Sequence, residues 1–124
     1  MADNIVSPEI IVTDEAIDDI MCASFEGGVT YMWCYAANVI GEYLGEYGSE
    51  QISRGGEVEM CDRESEDKWI LTKEKFLSGV KLWIEKGYNP RGSVKDGMLD
   101  TGELDAQDAD NIVQLALFGD IVFG

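Results

Sequence analysis

The chain has 124 residues, of which 45% are hydrophobic, 25 are acidic, nine are basic and none is histidine. This length and apolar content predict one folded domain over residues 1–124, and the lack of histidine excludes histidine-dependent catalysis and histidine-ligated metals. The net charge of −16 opposes direct binding to nucleic acid and to other acidic surfaces.

Neither a membrane segment nor a secretory signal is predicted. No apolar run approaches the roughly 20 residues needed to cross a bilayer, and the first residues lack a basic start and an apolar core. Cys22, Cys34 and Cys61 are odd in number and form no C-x-x-C pair, which favours reduced thiols. We therefore expect a cytoplasmic protein without membrane contact.

The acidic residues are concentrated in two arms of the chain. No Lys or Arg precedes Arg54 and none follows Lys95, so all nine basic residues lie between these positions, together with eight acids. The other seventeen acids lie in the arms before and after this segment. Because like charges brought together destabilise a compact state, their segregation indicates a surface whose charge is used. A solvated acidic face is the alternative.

The first arm begins with a predicted loose lead-in over residues 1–8 and a short strand over residues 9–12. Thr13 is a favourable N-cap, and the helical period that follows predicts a helix over residues 13–26. Gly27 and Gly28 are expected to end this helix. Its apolar stripe consists of Ile17, Ile20, Met21 and Phe25.

The stretch from Gly27 to Gly56 is predicted to be the central core element. It holds most of the tyrosines, and its length and alanines favour a buried helix from residue 29 to residue 47, with a β-rich run as the alternative. Three glycines predict that the later part is kinked or irregular. The residues that carry these expectations are Tyr31, Met32, Trp33, Cys34, Tyr35, Val39, Gly41, Gly45 and Gly48. If the segment is helical, its repeat places Glu42 beside Glu46 and Tyr43 beside Tyr47.

The second half of the chain gives clearer signals. Two β runs at residues 57–62 and 68–72, separated by a charged turn, predict a hairpin. Two amphipathic helices follow: one begins after Thr72 and ends at Gly87, and the other begins after Asp105 and ends at Gly119. The loop between them is expected to hold a short extended piece at Met98 and Leu99, and the last five residues to form a strand or a packed tail. The predicted fold class is α+β, with three or four amphipathic helices packed on a small antiparallel sheet that contains a hairpin.

No complete catalytic or metal motif is found. The run Cys34-Tyr35-Ala36-Ala37 is similar to the nucleophile helix of papain-like cysteine peptidases, but the chain has no histidine to act as its base. An EF-hand register read from Asp96 fails, because Met98, Thr101 and Gln107 occupy its third, sixth and twelfth positions. We expect no enzyme activity, no cofactor and no specific metal site, although the acids from Asp96 to Asp110 would attract loose counterions.

Arg54 follows directly after the first acidic arm. It is interpreted as an internal counterion of that arm, with contact to a phosphate or to a partner's carboxylate as the alternative.

The charge layout resembles that of small acidic phage-encoded anti-CRISPR and anti-restriction proteins that imitate DNA. The resemblance implies a non-enzymatic inhibitor, in the cytoplasm of a bacterial host cell, that binds the basic surface of a nucleic-acid-handling defence protein. It carries over no functional residues. The acids and neighbouring tyrosines of this chain that are expected to contact such a partner are Asp14, Glu15, Asp18, Asp19, Glu42, Tyr43, Glu46, Tyr47, Asp100, Glu103, Asp105 and Asp108.

Two other functions remain open at this point. The first is an oligomeric sponge for a signalling nucleotide, in which Tyr43, Tyr47 and Arg54 line a pocket or a subunit contact. The second is a phage structural or assembly accessory protein with solvated acidic faces.

Overall fold

The computed structural model describes residues 3–6, 10–27, 33–90 and 92–123. Three helices pack with an antiparallel sheet and a mixed sheet, which confirms the predicted α+β class. In chain order they are β1 (Asp3–Val6), β2 (Ile10–Thr13), α1 (Asp14–Gly27), β3 (Cys34–Ile40), β4 (Glu57–Asp62), β5 (Lys68–Leu71), α2 (Lys73–Glu85), β6 (Val94–Lys95), β7 (Met98–Leu99) and α3 (Ala106–Phe118). Single-turn 3-10 helices lie at Gly48–Glu50 and Thr101–Glu103.

The strands form two small sheets. One has the order β3-β4-β5 and is antiparallel throughout, whereas the other has the order β1-β2-β7-β6 and is mixed, because β2 and β7 run parallel. The predicted hairpin is the β4–β5 pair, in which Val58 lies opposite Leu71 and Met60 lies opposite Trp69. The extended piece predicted at Met98 and Leu99 is β7.

The expectation of a loose lead-in is wrong for residues 3–6. They form β1, which pairs antiparallel with β2. The Asn4 side chain donates to the carbonyl oxygen of Val12 at 2.8 Å, which fixes the strand to its neighbour. The remainder of the predicted lead-in lies outside the described residues.

The expectation of a helix after residue 29 is also wrong where the chain is described. Residues Cys34–Ile40 form β3, which pairs with β4 along its whole length, with a bulge between Cys34 and Ala36. Strand β4 has an open edge once it has paired with β5, and the ladder with β3 outweighs the local helix preference of the two alanines. Tyr31 and Met32 lie outside the described residues.

The helix termini follow their capping residues, as predicted. Thr13 Oγ1 accepts a hydrogen bond from the Ala16 amide at 3.1 Å, and Thr72 Oγ1 accepts one from Lys75 at 3.2 Å. Gly87 and Gly119 have φ angles of 77° and 74°, in the left-handed region that favours glycine.

The core lies between the helices and the two sheets. Its largest fully buried side chains include Trp83, Phe76, Ile17 and Met21. Helices α2 and α3 approach closely at Gly79, where an added Cβ would lie 2.7 Å from backbone atoms of α3. Among the described residues, no helix is long and apolar enough to cross a membrane.

Candidate functional site

Helix α1 carries four acids along its solvent-facing arc, of which Glu15 and Asp19 are exposed and Asp14 and Asp18 are half-buried. At about 100° per residue, Asp14, Asp18, Glu15 and Asp19 span roughly 140° of the helix circumference. Its opposite side carries the buried residues Ala16, Ile17, Ile20, Met21 and Ser24. Asp18 and Asp19 therefore point towards opposite flanks of the exposed arc.

One flank of α1 is covered by the end of the first acidic arm. Asp18 Oδ1 accepts a hydrogen bond from Ser53 Oγ at 2.5 Å. The 3-10 helix Gly48–Glu50 also packs on α1. Burial raises the pKa of Asp18, and the neighbouring charges of Glu50 and Asp14 raise it further. Negative groups thus lie close together on this flank.

The other flank of α1 is covered by the second acidic arm. Asp19 Oδ2 accepts a hydrogen bond from Thr101 Oγ1 at 2.9 Å. Beside this contact lies a cleft of about 310 Å³, and Glu15, Asp19 and Asp100 are among the residues that line it. The Gly102 amide and the nearby Lys95 ammonium hold the pKa of Asp100 below its usual range, so this carboxylate stays ionised at neutral pH.

The two arms of the sequence therefore meet on α1. We call the resulting surface the acidic face. Four of its acids lie on α1, one lies in the 3-10 helix Gly48–Glu50, and two lie in or next to the 3-10 helix Thr101–Glu103. These acids are Asp14, Glu15, Asp18, Asp19, Glu50, Asp100 and Glu103.

Three basic side chains neutralise part of the acidic face. Lys73 Nζ lies 3.1 Å from Asp14 Oδ1, and Lys95 Nζ lies 3.2 Å from Asp100 Oδ2. Burial opposes ionisation of Asp14, but hydrogen bonds from Asn4 and Lys73 outweigh it and lower the pKa. Acids therefore remain in excess, and the paired ones keep their charge.

Arg54 is the third of these basic residues. A Cβ added at Gly45 would lie 2.7 Å from Arg54 Nε and 2.6 Å from Glu50 Oε1, so the guanidinium and the carboxylate lie against the same glycine. The Arg54 charge also lowers the pKa of Asp18, against the larger effect of burial. This position is consistent with the interpretation of Arg54 as an internal counterion.

Residues 41–47 form what we call the acid-aromatic loop. It contains no helix, so the expected helical stacking of Glu42 on Glu46 and of Tyr43 on Tyr47 is wrong. All four side chains are nevertheless exposed, with Tyr43 at 61% and Tyr47 at 63% of their full accessibility.

The loop is ordered by two side chains that follow it. Glu50 Oε1 accepts hydrogen bonds from the amides of Glu46 at 2.7 Å and Tyr47 at 3.1 Å. The buried Gln51 accepts one from the Leu44 amide at 3.0 Å through Oε1. Its Nε2 donates to the carbonyl oxygens of Glu42 in the loop, at 3.2 Å, and of Ile40 just before it, at 3.5 Å. These bonds hold the exposed side chains on a defined backbone.

A second cleft lies between the loop and the C-terminal half of α1. Its volume is about 410 Å³, and it is lined by Cys22, Phe25, Glu26, Tyr47, Gly48 and Ser49. We call it the aromatic cleft. The sequence predicts an interface role for Tyr47 but does not pair it with Phe25, because the loop and the helix meet only in the folded state.

Asp105 and Asp108 have a structural role at the start of α3. The carboxylate of each accepts a hydrogen bond from the other's backbone amide, at 3.1 Å and 2.9 Å, which is a reciprocal capping box. They lie near the C-terminal end of α1, where a Cβ on Gly27 would be 3.6 Å from Ala106 Cβ. The described contacts do not join them to the acids of the acidic face.

Asp110 is a buried acid that the sequence did not distinguish from its neighbours. It is only 2% exposed, and it accepts hydrogen bonds from Trp33 Nε1 at 2.7 Å and from Gln114 Nε2 at 3.0 Å. Burial raises its pKa. Trp33 also stacks on Phe123, with ring centroids 5.1 Å apart, so this network anchors the chain after α3 as a packed tail.

Cys34 does not lie at a helix N-terminus. It is buried at the start of β3, so the similarity of its segment to a peptidase nucleophile helix does not extend to the structure. The three cysteines are not joined by disulfides.

The described part of the chain contains no group of three or more Cys, Asp or Glu residues placed to hold a metal ion. The features that stand out are therefore the acidic face and the aromatic cleft beside it. No protein-family model matches the chain, and no curated protein and no solved structure was found to be similar to it.

Proposed function

We propose that the protein is a non-enzymatic inhibitor of the phage anti-defence type. In this proposal the acidic face occupies the basic nucleic-acid-binding surface of a host defence protein, as in anti-CRISPR or anti-restriction proteins. The observation that supports it best is the meeting of the two acidic arms on α1, through the contacts Asp18–Ser53 and Asp19–Thr101.

The density of charge on α1 fits this proposal. The four acids from Asp14 to Asp19 lie within a helical rise of about 7.5 Å, so successive charges are ~2.5 Å apart along the axis. Duplex DNA carries one negative charge per ~1.7 Å of its axis. A channel that attracts phosphates would therefore attract this helix.

The charges are also fixed in place before binding. Ser53, Thr101 and Lys73 hold three of the α1 carboxylates by hydrogen bonds. Preorganised acids lose little side-chain freedom when they meet Lys and Arg of a partner, and complementary charge raises the association rate.

A nucleotide sponge has less support from the same contacts. Arg54 lies against Glu50, and Glu26 lines the cleft beside Tyr47. Phosphate groups would be repelled there. A thermal-shift screen with cyclic dinucleotides and ADP-ribose derivatives tests this alternative, and a saturable rise in Tm would favour it over the inhibitor.

The experiment that tests the inhibitor is a pull-down of the tagged protein from bacterial lysate, with washes at low and high salt. We expect a nucleic-acid-binding protein that is lost at high salt. The captured protein is then purified, and its binding to fluorescent duplex DNA is measured by anisotropy with and without the inhibitor. Competition between the inhibitor and DNA for one site is the expected result.

Variants that replace acids by their uncharged amides distinguish an effect of the acidic face from an effect of the total charge. Glu15→Gln with Asp19→Asn should weaken binding of the captured protein about tenfold or more, because two close charge pairs are lost. The matched control is Glu64→Gln with Glu66→Gln, which removes two exposed charges from the β4–β5 turn and should have a much smaller effect. Equal effects of the two variants, or simultaneous binding of DNA and inhibitor, would contradict the proposal.

A further inference from the structure

The aromatic cleft adjoins the acidic face on the same exposed arc of α1. On the helical wheel, Cys22 and Phe25 lie within the arc that carries Asp14 and Asp19 one to three turns earlier. We infer that this cleft binds one large apolar side chain of the partner that is flanked by Lys or Arg. The inference rests on the proposed function, and it supplies that function with an apolar anchor.

The cleft is lined by a glycine and two rings, those of Phe25 and Tyr47. A Cβ added at Gly48 would lie 3.4 Å from Val39 Cγ2 and 3.9 Å from ring atoms of Phe25 and Tyr43. Gly48, which directly follows the loop, therefore lies in van der Waals range of these side chains. A volume of about 410 Å³ falls within the range of pockets that hold small ligands or single anchor side chains.

The acid-aromatic loop, whose Tyr47 lines the cleft, exposes large side chains on an ordered backbone. Tyr43, Leu44 and Tyr47 are 61%, 48% and 63% exposed, although Glu50 and Gln51 hold their loop in place by hydrogen bonds. Exposed tyrosines on a rigid support are typical of residues that dominate binding energy at interfaces. This patch is therefore ready to be covered by a partner.

Charge restricts the occupant to a basic protein segment. Glu26 lines the cleft, Glu46 lies on the loop, and no described residue that lines the cleft is basic. A second copy of the chain, with its charge of −16, would be repelled, as would an anionic lipid surface or a nucleic acid. A tryptophan, phenylalanine or leucine between basic residues meets both the apolar cleft and its acidic border.

The test uses two synthetic peptides that differ at one position. Each has three arginines on either side of a central residue, which is tryptophan in one and alanine in the other, and each carries a terminal fluorescein for anisotropy. We expect both peptides to bind with salt-dependent affinity, and the tryptophan peptide to bind about tenfold more tightly.

Two tyrosine variants assign this difference to the cleft. Tyr47→Ser should bring the ratio of the two affinities close to one and leave binding of the alanine peptide almost unchanged. Serine is a favoured N-cap for the turn that begins at Gly48, so folding should be retained. Tyr88→Ser is the matched control, because Tyr88 is 43% exposed and does not line the cleft, and it should preserve the ratio.

A second readout locates the bound peptide. Cys22 is the half-buried cysteine of the cleft, whereas Cys34 and Cys61 are buried. Its alkylation by iodoacetamide, measured at pH 8.5 because burial and Glu26 raise its pKa, should be slowed by the tryptophan peptide more than by the alanine peptide.

The outcomes distinguish this inference from the proposed function. Equal affinities of the two peptides would overturn the apolar anchor, while leaving charge recognition intact. If both peptides bind but the double variant Glu15→Gln, Asp19→Asn lowers the affinity for neither, the acidic face does not bind basic partners. The proposed function would then be contradicted, while the inference about the cleft would be retained. If the protein forms a dimer and Tyr47→Ser dissociates it, the cleft binds a second copy of the chain, and the inference is overturned.

Discussion

Replacement of Asp110 by asparagine should destabilise the protein, although the two side chains have nearly the same shape. The carboxylate accepts hydrogen bonds from Trp33 and Gln114. The amide of Gln114 cannot turn over, because its Oε1 accepts from the backbone of Val122 and Phe123 and its Nε2 donates to the Phe123 carbonyl. Position 110 must therefore offer an acceptor to two fixed donors.

Asparagine offers only one acceptor atom. In either orientation of its amide, one NH₂ group faces a donor, namely the Trp33 indole or the Gln114 amide. A buried donor without a partner costs about 1–3 kcal/mol, and the remaining bond loses its charge assistance. Removal of a buried charge offsets part of this loss, so we expect Asp110→Asn to lower the free energy of unfolding by about 2 kcal/mol.

The expected change is large enough to measure by heat or urea unfolding. At about 2.1 cal/mol/K per residue, a chain of 124 residues has an unfolding entropy of roughly 0.26 kcal/mol/K, so 2 kcal/mol lowers Tm by about 8 °C. Circular dichroism follows the transition, and tryptophan fluorescence reports the loss of the Trp33 environment.

Asp120→Asn is the control, since Asp120 is exposed and asparagine retains the oxygen that accepts from the Ile121 amide at 2.9 Å. It removes the same charge and should change Tm little. If Asp110→Asn were as stable as this control, the donor-acceptor reasoning for the buried network would be refuted.

Three further variants test other parts of the structure. Gly79→Ala should destabilise by about 1–3 kcal/mol in urea unfolding, against its favourable helix propensity, because its Cβ would meet the backbone of α3 at 2.7 Å; unchanged stability would contradict the close helix packing. Asp18→Asn should raise Tm at pH 7, because burial and Glu50 raise the Asp18 pKa in the folded state, so that ionisation of Asp18 opposes folding. The gain in Tm should shrink as the pH falls towards 3.8, the usual pKa of an aspartate, because the carboxyl is then protonated in the wild-type protein as well. Gln51→Leu should make the acid-aromatic loop sensitive to limited proteolysis, and it should lower Tm by several degrees through the lost loop hydrogen bonds; an equally resistant loop would show that Gln51 does not order it.

Local signals predicted the parts of the fold that local chemistry controls. Thr13 and Thr72 begin helices with their side-chain caps, and Gly87 and Gly119 end them in the left-handed conformation. The hairpin was also predictable, because alternation and a charged turn lie within one short segment. These features need no knowledge of distant residues.

The errors lie where distant partners decide the conformation. The segment from Cys34 to Ile40 has alanines that favour a helix, but the open edge of β4 makes it a strand. Residues 3–6 become β1 because β2 is beside them. In each case a ladder with another strand outweighs the local preference.

The candidate site was predictable in composition and not in arrangement. The two acidic arms are visible in the sequence, but the contacts of Asp18 with Ser53 and of Asp19 with Thr101 join residues 35 and 82 positions apart. By contrast, the structural role of Asp105 and Asp108 follows from their spacing in the sequence. Their spacing is that of a capping box, and the structure uses them as one.

The parallel pairing of β2 with β7 has a consequence for how the chain folds during synthesis. Ile11 pairs with Met98, and its amide donates to the Gly97 carbonyl at 2.7 Å. About 90 residues must be made before this loop can close, which takes roughly 5–20 s on a ribosome. Until then, this edge of β2 is open to other strands. The excess of acids in the first arm would then repel neighbouring nascent chains, so the charge that we assign to partner binding would also guard an unfinished sheet against aggregation.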